Sequence, residues 1–284
     1  MKESIINIPL VDLHPFPENP YKVVDNEELQ AMVDSIRDYG VISPLVVRPL
    51  ETGGYEIISG HRRRAAAQKA GIDSVPAFAR KMDRDTAIIA LVDSNLHREH
   101  VLPSEKAHAY KMKLDAIKRK AGRPGKNSRQ VVGNFESADI VGFEASESGR
   151  QVQRYIRLTE LSPQILQMVD DGKIAFSPAV ELSFLAEKEQ ADLLVTMESE
   201  EATPSLAQAQ RMKKLSADGK LDMDAIFAIM TEEKPNQKEQ IKLKADNIRN
   251  FFPKGYTARQ MEDTILKLLA DWQRKREQKN RDAR

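Results

Sequence analysis

The sequence predicts an α+β protein, with a small mixed α/β domain at the N-terminus, an all-helical domain after it and a C-terminal helical segment. Two observations carry this prediction. Over the first 100 residues, short strand-like runs rich in Val and Ile alternate with segments whose apolar residues recur at helical spacing. In the rest of the 284-residue chain only the helical spacing of apolar residues continues. The expected domains are residues 1–100, 101–233 and 234–284.

The strands of the first domain are predicted from short apolar runs bounded by Pro and Gly. They are residues 5–8, 45–48, 55–58 and 75–79. The second and third should pair around a turn, and Pro76 places the fourth at an edge because proline lacks the N–H that a ladder needs. Asp25 or Asn26 caps a helix over residues 27–39, which Gly40 ends.

A glycine followed by a basic helix start forms the first candidate site. Gly60 turns the chain after a strand, and Arg62 and Arg63 open an alanine-rich helix. A helix N-terminus presents unpaired N–H groups and a partial positive charge, and arginine donors match phosphate oxygens. We therefore expect a phosphate-binding turn. The alternative is an exposed first turn whose arginines are only solvated, although cations there oppose the helix dipole.

A second polar cluster, with Ser94, Asn95 and Arg98, follows a helix predicted over residues 86–95. Ser104 is a good N-cap for the next helix, which should run to about residue 121. The histidines that flank this cluster are interpreted as solvated residues at a helix end.

Composition and charge narrow the function. The chain has no cysteine, which excludes disulfide scaffolds, thiolate metal sites and a cysteine nucleophile, and favours a cytoplasmic setting. No apolar run approaches the roughly 20 residues of a membrane span, so we expect no membrane partner. Residues 98–160 carry 13 Lys and Arg against 8 Asp and Glu. This basic block indicates nucleic-acid binding by one part of the chain.

Within the basic block, residues 136–160 are predicted to form a helix-turn-helix. Its second helix places Val152, Tyr155 and Ile156 on one face, with Arg and Gln side chains on the other. Arg pairs with guanine and Gln with adenine in the major groove, whereas a basic surface helix without a groove is the alternative. The candidate DNA-binding residues are Ser148, Arg150, Gln151, Gln153, Arg154 and Arg157. Arg150, Gln151 and Arg154 are expected to contact bases, and Ser148 and Arg157 to contact phosphates.

Two further segments leave alternatives open. Residues 121–127 contain a Gly-Arg-Pro tripeptide similar to a minor-groove-binding AT-hook core, but three residues are a weak signal and we interpret the segment as a linker with incidental charge. After a linker at 234–238, Thr257 caps a helix with an apolar stripe that ends at Trp272. The stripe is a dimer seam or folds back on its own domain.

In their order along the chain, these motifs resemble the ParB-type partition proteins, a group that includes KorB-like regulators and nucleoid-occlusion factors. The resemblance rests on a proline-rich loop at 14–21, a helix ending in Tyr39-Gly40, PLVVRP at 44–49, ISGHRRRAA at 58–66 and DSNLHREHVLPSEKAHAY at 93–110. It covers roughly residues 5–235 and is more specific than any one motif, because several motifs occur in the family's order.

The resemblance implies a double-stranded-DNA clamp that binds CTP with Mg²⁺, forms a homodimer and acts with a ParA-like ATPase on plasmid or nucleoid DNA. It assigns Gly60, His61, Arg62, Arg63, Asn95 and Arg98 to nucleotide binding. Asn95 would help to position the metal.

Two departures from the family's motifs bear on this assignment. His61 and Ser94 stand where the family has Glu, and serine is a poor substitute for a carboxylate that ligates Mg²⁺. They leave CTP hydrolysis doubtful, so a weak CTPase stays possible and no catalytic residue is assigned. They also keep open a static helix-turn-helix transcriptional regulator without nucleotide switching. The chain has neither the cysteine that sulfiredoxin chemistry needs nor a carboxylate cluster for metal-assisted nuclease chemistry, which argues against an enzyme of either type.

Overall fold

The computed structural model describes residues 4–96, 98, 101–120, 138–143, 145–232, 251–253 and 255–282. The chain divides into two compact units, Met1–Glu232 and Glu233–Arg284. The segments 121–127 and 234–238, interpreted above as linkers, lie outside the described residues, as do positions 136 and 137 of the predicted helix-turn-helix.

Five strands of the described residues form one mixed sheet in the order β1-β5-β3-β4-β2. They are β1 (Ile5–Pro9), β2 (Leu13–His14), β3 (Leu45–Pro49), β4 (Tyr55–Ser59) and β5 (Ser74–Ala79). β3 and β4 pair antiparallel, which confirms the predicted hairpin, and β2 is a short strand that the sequence did not indicate.

The prediction of an edge position for the proline-bearing strand is wrong, because β5 lies between β1 and β3. Pro76 stands opposite Asn7 of β1, whereas pairing with β3 begins only at Ala77, opposite Leu45. Proline is tolerated here since the strand on its other side has not yet begun to pair.

Two helices cover the sheet next to the predicted phosphate-binding turn. They are α1 (Glu27–Tyr39) and α2 (His61–Lys69). The Asn26 side chain accepts a hydrogen bond from the Leu29 N–H at 3.0 Å, and Gly40 with φ 70° ends α1, as predicted. Apolar side chains at helical spacing on α1 pack into a core with the sheet. Its buried members include Leu29, Val33, Ile36, Leu45, Val47, Ile57 and Ala66.

The next two helices, α3 (Arg84–Asp93) and α4 (Pro103–Lys120), pack against each other. Lys113 of α4 is buried and forms an ion pair with Asp93 at the end of α3. The prediction that Ser104 caps α4 is wrong. Ser104 instead donates from its N–H and its hydroxyl to the carboxylate of Asp170. Glu105, the third residue of α4, accepts instead from the N–H of Leu102 just before the helix at 3.3 Å.

The rest of the first unit, where the structure describes it, is built of helices and the turns between them, as predicted. Its helices are α5 (residues 138–143), α6 (Gly149–Arg157), α7 (Pro163–Asp170), α8 (Phe176–Leu182), α9 (Glu187–Ser199), α10 (Leu206–Ala217) and α11 (Met223–Thr231). α6 is shorter than predicted, since Leu158–Glu160 continues it as a 3-10 turn. One apolar core joins α7 to α11 and includes Leu158, Ile165, Leu182, Leu193, Met212 and Ile226. The predicted α+β class is confirmed.

The second unit contains one long helix in its described part, α12 (Ala258–Asp282). The Thr257 hydroxyl accepts from the Gln260 N–H at 3.3 Å, which confirms the predicted cap. Leu268, Leu269 and Trp272 of the apolar stripe are 63%, 54% and 59% exposed. No helix in the described part of either unit combines the length and the apolar character needed to cross a membrane.

Candidate functional site

The two polar clusters, separated by some 35 residues along the chain, line one cleft of about 280 Å³. α2 begins at the cleft, and the end of α3 lies across it. Lining residues from the first cluster are Ser59, Gly60, His61, Arg62 and Arg63, and those from the second are Ser94, Asn95 and Arg98, with Met32 beside them. The structure therefore brings together all six residues assigned to nucleotide binding.

Gly60 has a steric reason to be glycine. Its φ of 106° lies in the region that side chains avoid, and a Cβ there would lie 2.8 Å from Cγ of Leu45. As the N-cap of α2 it supplies no side-chain hydrogen bond, and the first turn of the helix has no acidic residue. The first N–H groups of α2 are thus left for a ligand, which is the arrangement that binds an anion.

The neighbouring arginines Arg62 and Arg63 are held differently. Arg62 is 28% exposed and pairs with Glu28 at 3.0 Å. Arg63 donates to the Ser43 carbonyl at 2.5 Å, to the Ser43 hydroxyl at 3.0 Å and to the Pro44 carbonyl at 2.7 Å. Burial lowers the pKa of Arg63. Arg63 therefore braces the segment before β3, and Arg62 is the more available donor.

His61 is a neutral imidazole in the folded protein. Burial, followed by the nearby charges of Arg98 and Arg64, lowers the pKa of His61 to about 4. Its Nε2 atom lies 3.5 Å from the backbone nitrogen of Phe16, whose N–H it faces as an acceptor. The ring lines the cleft, but it joins the loop around Phe16 to α2 rather than adding a cation.

Asn95 is 8% exposed and its amide is oriented by two hydrogen bonds. Its Nδ2 atom donates to the Leu91 carbonyl at 2.8 Å and to the Ser94 hydroxyl at 3.1 Å. Among the contacts of the described residues the Oδ1 atom accepts none, so it is the atom of this amide left to accept a hydrogen bond from a ligand.

The donor set of the cleft does not fit a metal held by the protein alone. Its lining combines arginines with neutral oxygens and has no carboxylate among the described residues. No group of three or more histidines and carboxylates gathers elsewhere in the described part of the chain. Magnesium prefers carboxylate and phosphate oxygens, so we derive no step through a protein-bound metal.

Two residues that the sequence did not mark, Tyr21 and Glu105, support Arg98. The Arg98 guanidinium lies over the Tyr21 ring at 5.9 Å, and Glu105 accepts from the Lys22 N–H at 2.9 Å. Burial, followed by the charge of Arg62, lowers the pKa of Arg98, while burial raises the pKa of Tyr21. The one sequence feature near these contacts is the proline-rich loop at 14–21, which ends at Tyr21. The sequence did not indicate that this loop would meet Arg98.

The described part of the segment predicted as a helix-turn-helix contains α5 and α6, with turn residues 145–148 before α6. Ser148 caps α6 by accepting from the Gln151 N–H at 3.2 Å. Glu147 in the turn pairs with Lys106 and accepts from the Tyr110 hydroxyl at 3.2 Å, so α4 holds the turn. Glu147 was not singled out in the sequence, since its partners lie 37 and 41 residues away.

The candidate DNA-contacting side chains of α6 are not equally available. Arg150 is exposed, and Gln151 and Gln153 are partly exposed. Arg154 is half-buried, with its guanidinium 4.9 Å from the centre of the Phe176 ring. Arg157 donates to the Ser183 carbonyl at 2.7 Å and lies over a phenylalanine ring at 4.2 Å.

The N-terminal part of the chain matches a known family, the ParB N-terminal domain, over residues 1–96. The chain is 33% identical over 183 residues to the chromosome-partitioning protein Spo0J of Thermus thermophilus, covering 64% of this chain and 61% of that protein. It is 40% identical over 110 residues to the nucleoid occlusion protein of Geobacillus thermodenitrificans, covering 38% and 39%. The chain thus spans less than two thirds of the length of these relatives.

A solved structure of C-terminally truncated ParB from Caulobacter crescentus, complexed to the centromeric parS site, matches 74% of this chain and 98% of its own. The identity is 21% and the TM-score is 0.45. The same protein complexed with CTP-gamma-S matches 66% of this chain and 96% of its own, with 25% identity and a TM-score of 0.32.

These findings confirm the resemblance that the motifs indicated. The described fold is that of an α+β protein with a small sheet domain followed by helices. Its N-terminal part matches the ParB N-terminal domain, and the chain is similar to chromosome-partitioning and nucleoid-occlusion proteins.

Proposed function

We propose that this chain is a DNA-binding partition protein whose hold on DNA responds to a nucleotide, acting in segregation of a plasmid, a mobile element or a chromosome. One observation carries the proposal. Residues 60–63 and the second polar cluster meet in a single cleft at an uncapped helix N-terminus. A cleft with three arginines and free N–H groups suits the phosphates of a nucleotide.

The nucleotide that we propose is CTP, which the family resemblance implies. Its phosphates would lie at the α2 N-terminus, with Arg62 and Arg98 of the cleft lining both donating to them. Magnesium would enter with the nucleotide and be held chiefly by phosphate oxygens, since Asn95 is the polar side chain available to assist it. The proposal assigns no hydrolytic step, because no carboxylate lies among the described lining residues and the acceptor nitrogen of His61 already faces the Phe16 N–H.

The DNA-reading element that we propose is α6, entering the major groove with the N-terminal part of its exposed side. Arg150 and Gln151 would meet base edges, and Ser148, Gln153 and Arg157 would lie near phosphates. The single helix α4 contacts both the proposed nucleotide site and the proposed DNA-reading element. Its first turn, through Glu105, contacts the loop beside Arg98, and its middle holds the turn before α6 through Tyr110.

The proposed partners follow from the resemblance and from α12. The exposed apolar stripe with Leu268, Leu269 and Trp272 would pair with a second copy of the chain, giving a homodimer. A ParA-like ATPase is the proposed motor partner. We propose that the protein resides in the cytoplasm on plasmid or nucleoid DNA.

Calorimetric titration of the full chain with CTP, ATP, GTP and UTP, each with magnesium, tests the nucleotide part. Binding of CTP in preference to the other three supports the proposal, and absence of binding of all four, with and without DNA, refutes it. Selection of bound duplexes from a random-sequence library tests the DNA part. An enriched sequence motif supports sequence-specific binding.

A static helix-turn-helix transcriptional regulator is the second candidate. It is favoured by the replacement of two family glutamates by His61 and Ser94, and by the neutrality of His61. Measuring how long the protein stays on closed circular DNA that carries the selected motif separates the two. Residence that changes on addition of CTP supports the partition clamp, whereas residence that is indifferent to nucleotide supports the regulator.

A further inference from the structure

Arg154 of α6 is tied within the protein on two sides. Its Nη1 atom donates to Oε1 of Gln151 at 3.1 Å, and its Nη2 atom donates to the Ser177 hydroxyl of α8 at 3.0 Å. The guanidinium also lies over the Phe176 ring at 4.9 Å. The planar guanidinium is thereby held in one orientation, since its two terminal nitrogens donate to residues of two different helices, α6 and α8.

This contact decides which end of the Gln151 amide faces outward. Guanidinium has donors and no acceptor, so only the oxygen of the Gln151 amide can bond to it. The –NH₂ group is left on the side of the amide away from Arg154. Gln151 is one residue beyond the exposed Arg150, near the start of α6, where a recognition helix meets base edges.

We propose that Gln151 reads DNA as a hydrogen-bond donor and that Arg154 acts through it as a positioning residue rather than as a base contact. The proposal rests on the DNA-reading role proposed above for α6. A donor at this position selects a base edge with an acceptor, namely a purine N7, guanine O6 or thymine O4. It gains nothing from the amino group of cytosine.

Arg154 would have to break both of its hydrogen bonds and leave the aromatic ring to reach a base itself. Arg150 has no such restraint, because its side chain is exposed at the helix start. Arg150 and Arg154, which the sequence pattern treats alike as base-contacting candidates, therefore differ in function: Arg150 contacts DNA and Arg154 sets the orientation of Gln151.

The test uses the full chain and a library of random duplexes. Selection with the wild-type protein gives the preferred site, and selection with Gln151→Ala identifies the base pair whose preference depends on Gln151. Arg154→Ala should relax preference at that same base pair by roughly three- to tenfold, the size of one hydrogen bond, and leave the other positions unchanged. Arg154→Lys, which keeps the charge but cannot span Gln151 and Ser177, should give a smaller relaxation and serves if the alanine variant unfolds.

Two further variants sharpen the result. Gln151→Glu offers a second carboxylate oxygen outward, so preference at that base pair should move toward a base with an amino group, adenine or cytosine. His108→Gln, at an exposed position on α4 outside the proposed DNA contacts, is the control and should leave that base pair unchanged.

The double variant Gln151→Ala/Arg154→Ala decides the issue. If Arg154 acts through Gln151, the double variant has the base preferences of Gln151→Ala alone. If adding Arg154→Ala removes preference at a second base pair, Arg154 contacts that base itself and the proposal is overturned. A wild-type protein that enriches no motif overturns both this inference and sequence-specific binding, whereas a motif unaffected by Gln151→Ala overturns the inference alone.

Discussion

The Nε2 atom of His61 lies 3.5 Å from the backbone nitrogen of Phe16 and joins the first turn of α2 to the proline-rich loop. This geometry requires a neutral ring, because a protonated imidazole has no acceptor to offer the Phe16 N–H. Burial beside the Arg98 and Arg64 charges has the same consequence and lowers the pKa of His61 to about 4, from an ordinary value of 6.5.

Stability should therefore fall as the pH is lowered through this range. Between about pH 6.5 and pH 4 the unfolded chain binds a proton at His61 that the folded chain does not. Protonation thus favours unfolding by about 3 kcal/mol in total, and the loss levels off once the folded ring also titrates. Urea unfolding at a series of pH values measures the free energy of unfolding. His61→Gln, which keeps an acceptor but does not titrate, should flatten this part of the curve.

The control is His108→Gln, because His108 is exposed on α4 and its loss removes a histidine without touching the cleft. The His108→Gln curve should follow that of the wild type. Parallel curves for the wild type and His61→Gln would show that His61 titrates normally in the folded protein.

Arg62 should separate nucleotide binding from stability better than Arg63 does. Because the one ion pair of Arg62 among the described residues is with the exposed carboxylate of Glu28, Arg62→Ala should change the free energy of unfolding by less than about 1 kcal/mol. Loss of one charge-assisted donor to phosphate should weaken CTP binding by about tenfold or more. Calorimetric titration and urea unfolding of the same preparation measure both quantities.

Glu28→Gln is the matched control, since it removes the partner of Arg62 and leaves the arginine in place. Its CTP affinity should equal or exceed that of the wild type. Arg63→Ala, in contrast, removes three hydrogen bonds to Ser43 and Pro44 and should cost about 1–3 kcal/mol of stability. Normal CTP affinity in Arg62→Ala would exclude Arg62 from the phosphate site.

The sequence predicted local structure well where one segment decided its own conformation. The Asn26 cap, the Gly40 stop and the β3–β4 hairpin follow from side chains a few residues apart, and the structure has all three. The prediction that Pro76 lies on an edge strand was wrong. Proline only requires that no neighbouring strand needs its missing N–H, and β3 meets this requirement within the sheet because its pairing with β5 begins at Ala77. Ser104 was misread for a similar reason, since its partner Asp170 lies 66 residues away.

The candidate site shows the same division. Residue composition indicated the two polar clusters as candidate sites, and the family resemblance assigned both to one nucleotide site. Neither could distinguish Arg62 from Arg63 in the cleft, or Arg150 from Arg154 on α6. Those differences depend on Glu28, on the Ser43 carbonyl and on Ser177, which reach the arginines only through the fold. Helical spacing reports which face of a helix a residue occupies, and it does not report what packs against that face.

Glu147 should be the residue on which the orientation of α6 depends most. It pairs with Lys106 and accepts from Tyr110, and its side chain is only 18% exposed. Glu147→Ala leaves a half-buried ammonium and a buried hydroxyl without this partner and should cost about 2–4 kcal/mol. Fluorescence anisotropy with the selected duplex should show weaker DNA binding, because the turn before α6 loses its anchor on α4.

Tyr110→Phe provides a graded comparison, since it removes one neutral donor and keeps the ion pair. It should cost about 1 kcal/mol and leave DNA affinity nearly unchanged. Equal effects of the two variants would show that the Lys106 ion pair contributes nothing to holding the turn.

The turn between α5 and α6 contains two positions whose substitution should act in opposite directions. A Cβ on Gly142 would lie 2.5 Å from the carbonyl oxygen of Glu147 and 3.0 Å from the carbonyl carbon of Ser148. Both atoms belong to the backbone, so Gly142→Ala must displace the turn and should destabilise the protein by about 1–3 kcal/mol. DNA affinity should fall with it, since the start of α6 moves relative to α5.

Ser146, four residues later, has a φ of 56° in the left-handed region, where a side chain is disfavoured. Ser146→Gly relieves that strain and should stabilise the turn by a few tenths to about 1 kcal/mol, after the added freedom of glycine in the unfolded chain is counted. Thermal unfolding and anisotropy on both variants measure the effects. Opposite shifts in stability, with DNA affinity lost only in Gly142→Ala, are expected because one substitution removes a close backbone approach and the other removes strain without moving either helix. A Gly142→Ala protein as stable as the wild type would mean that the turn accommodates a side chain and that its geometry does not determine the position of α6.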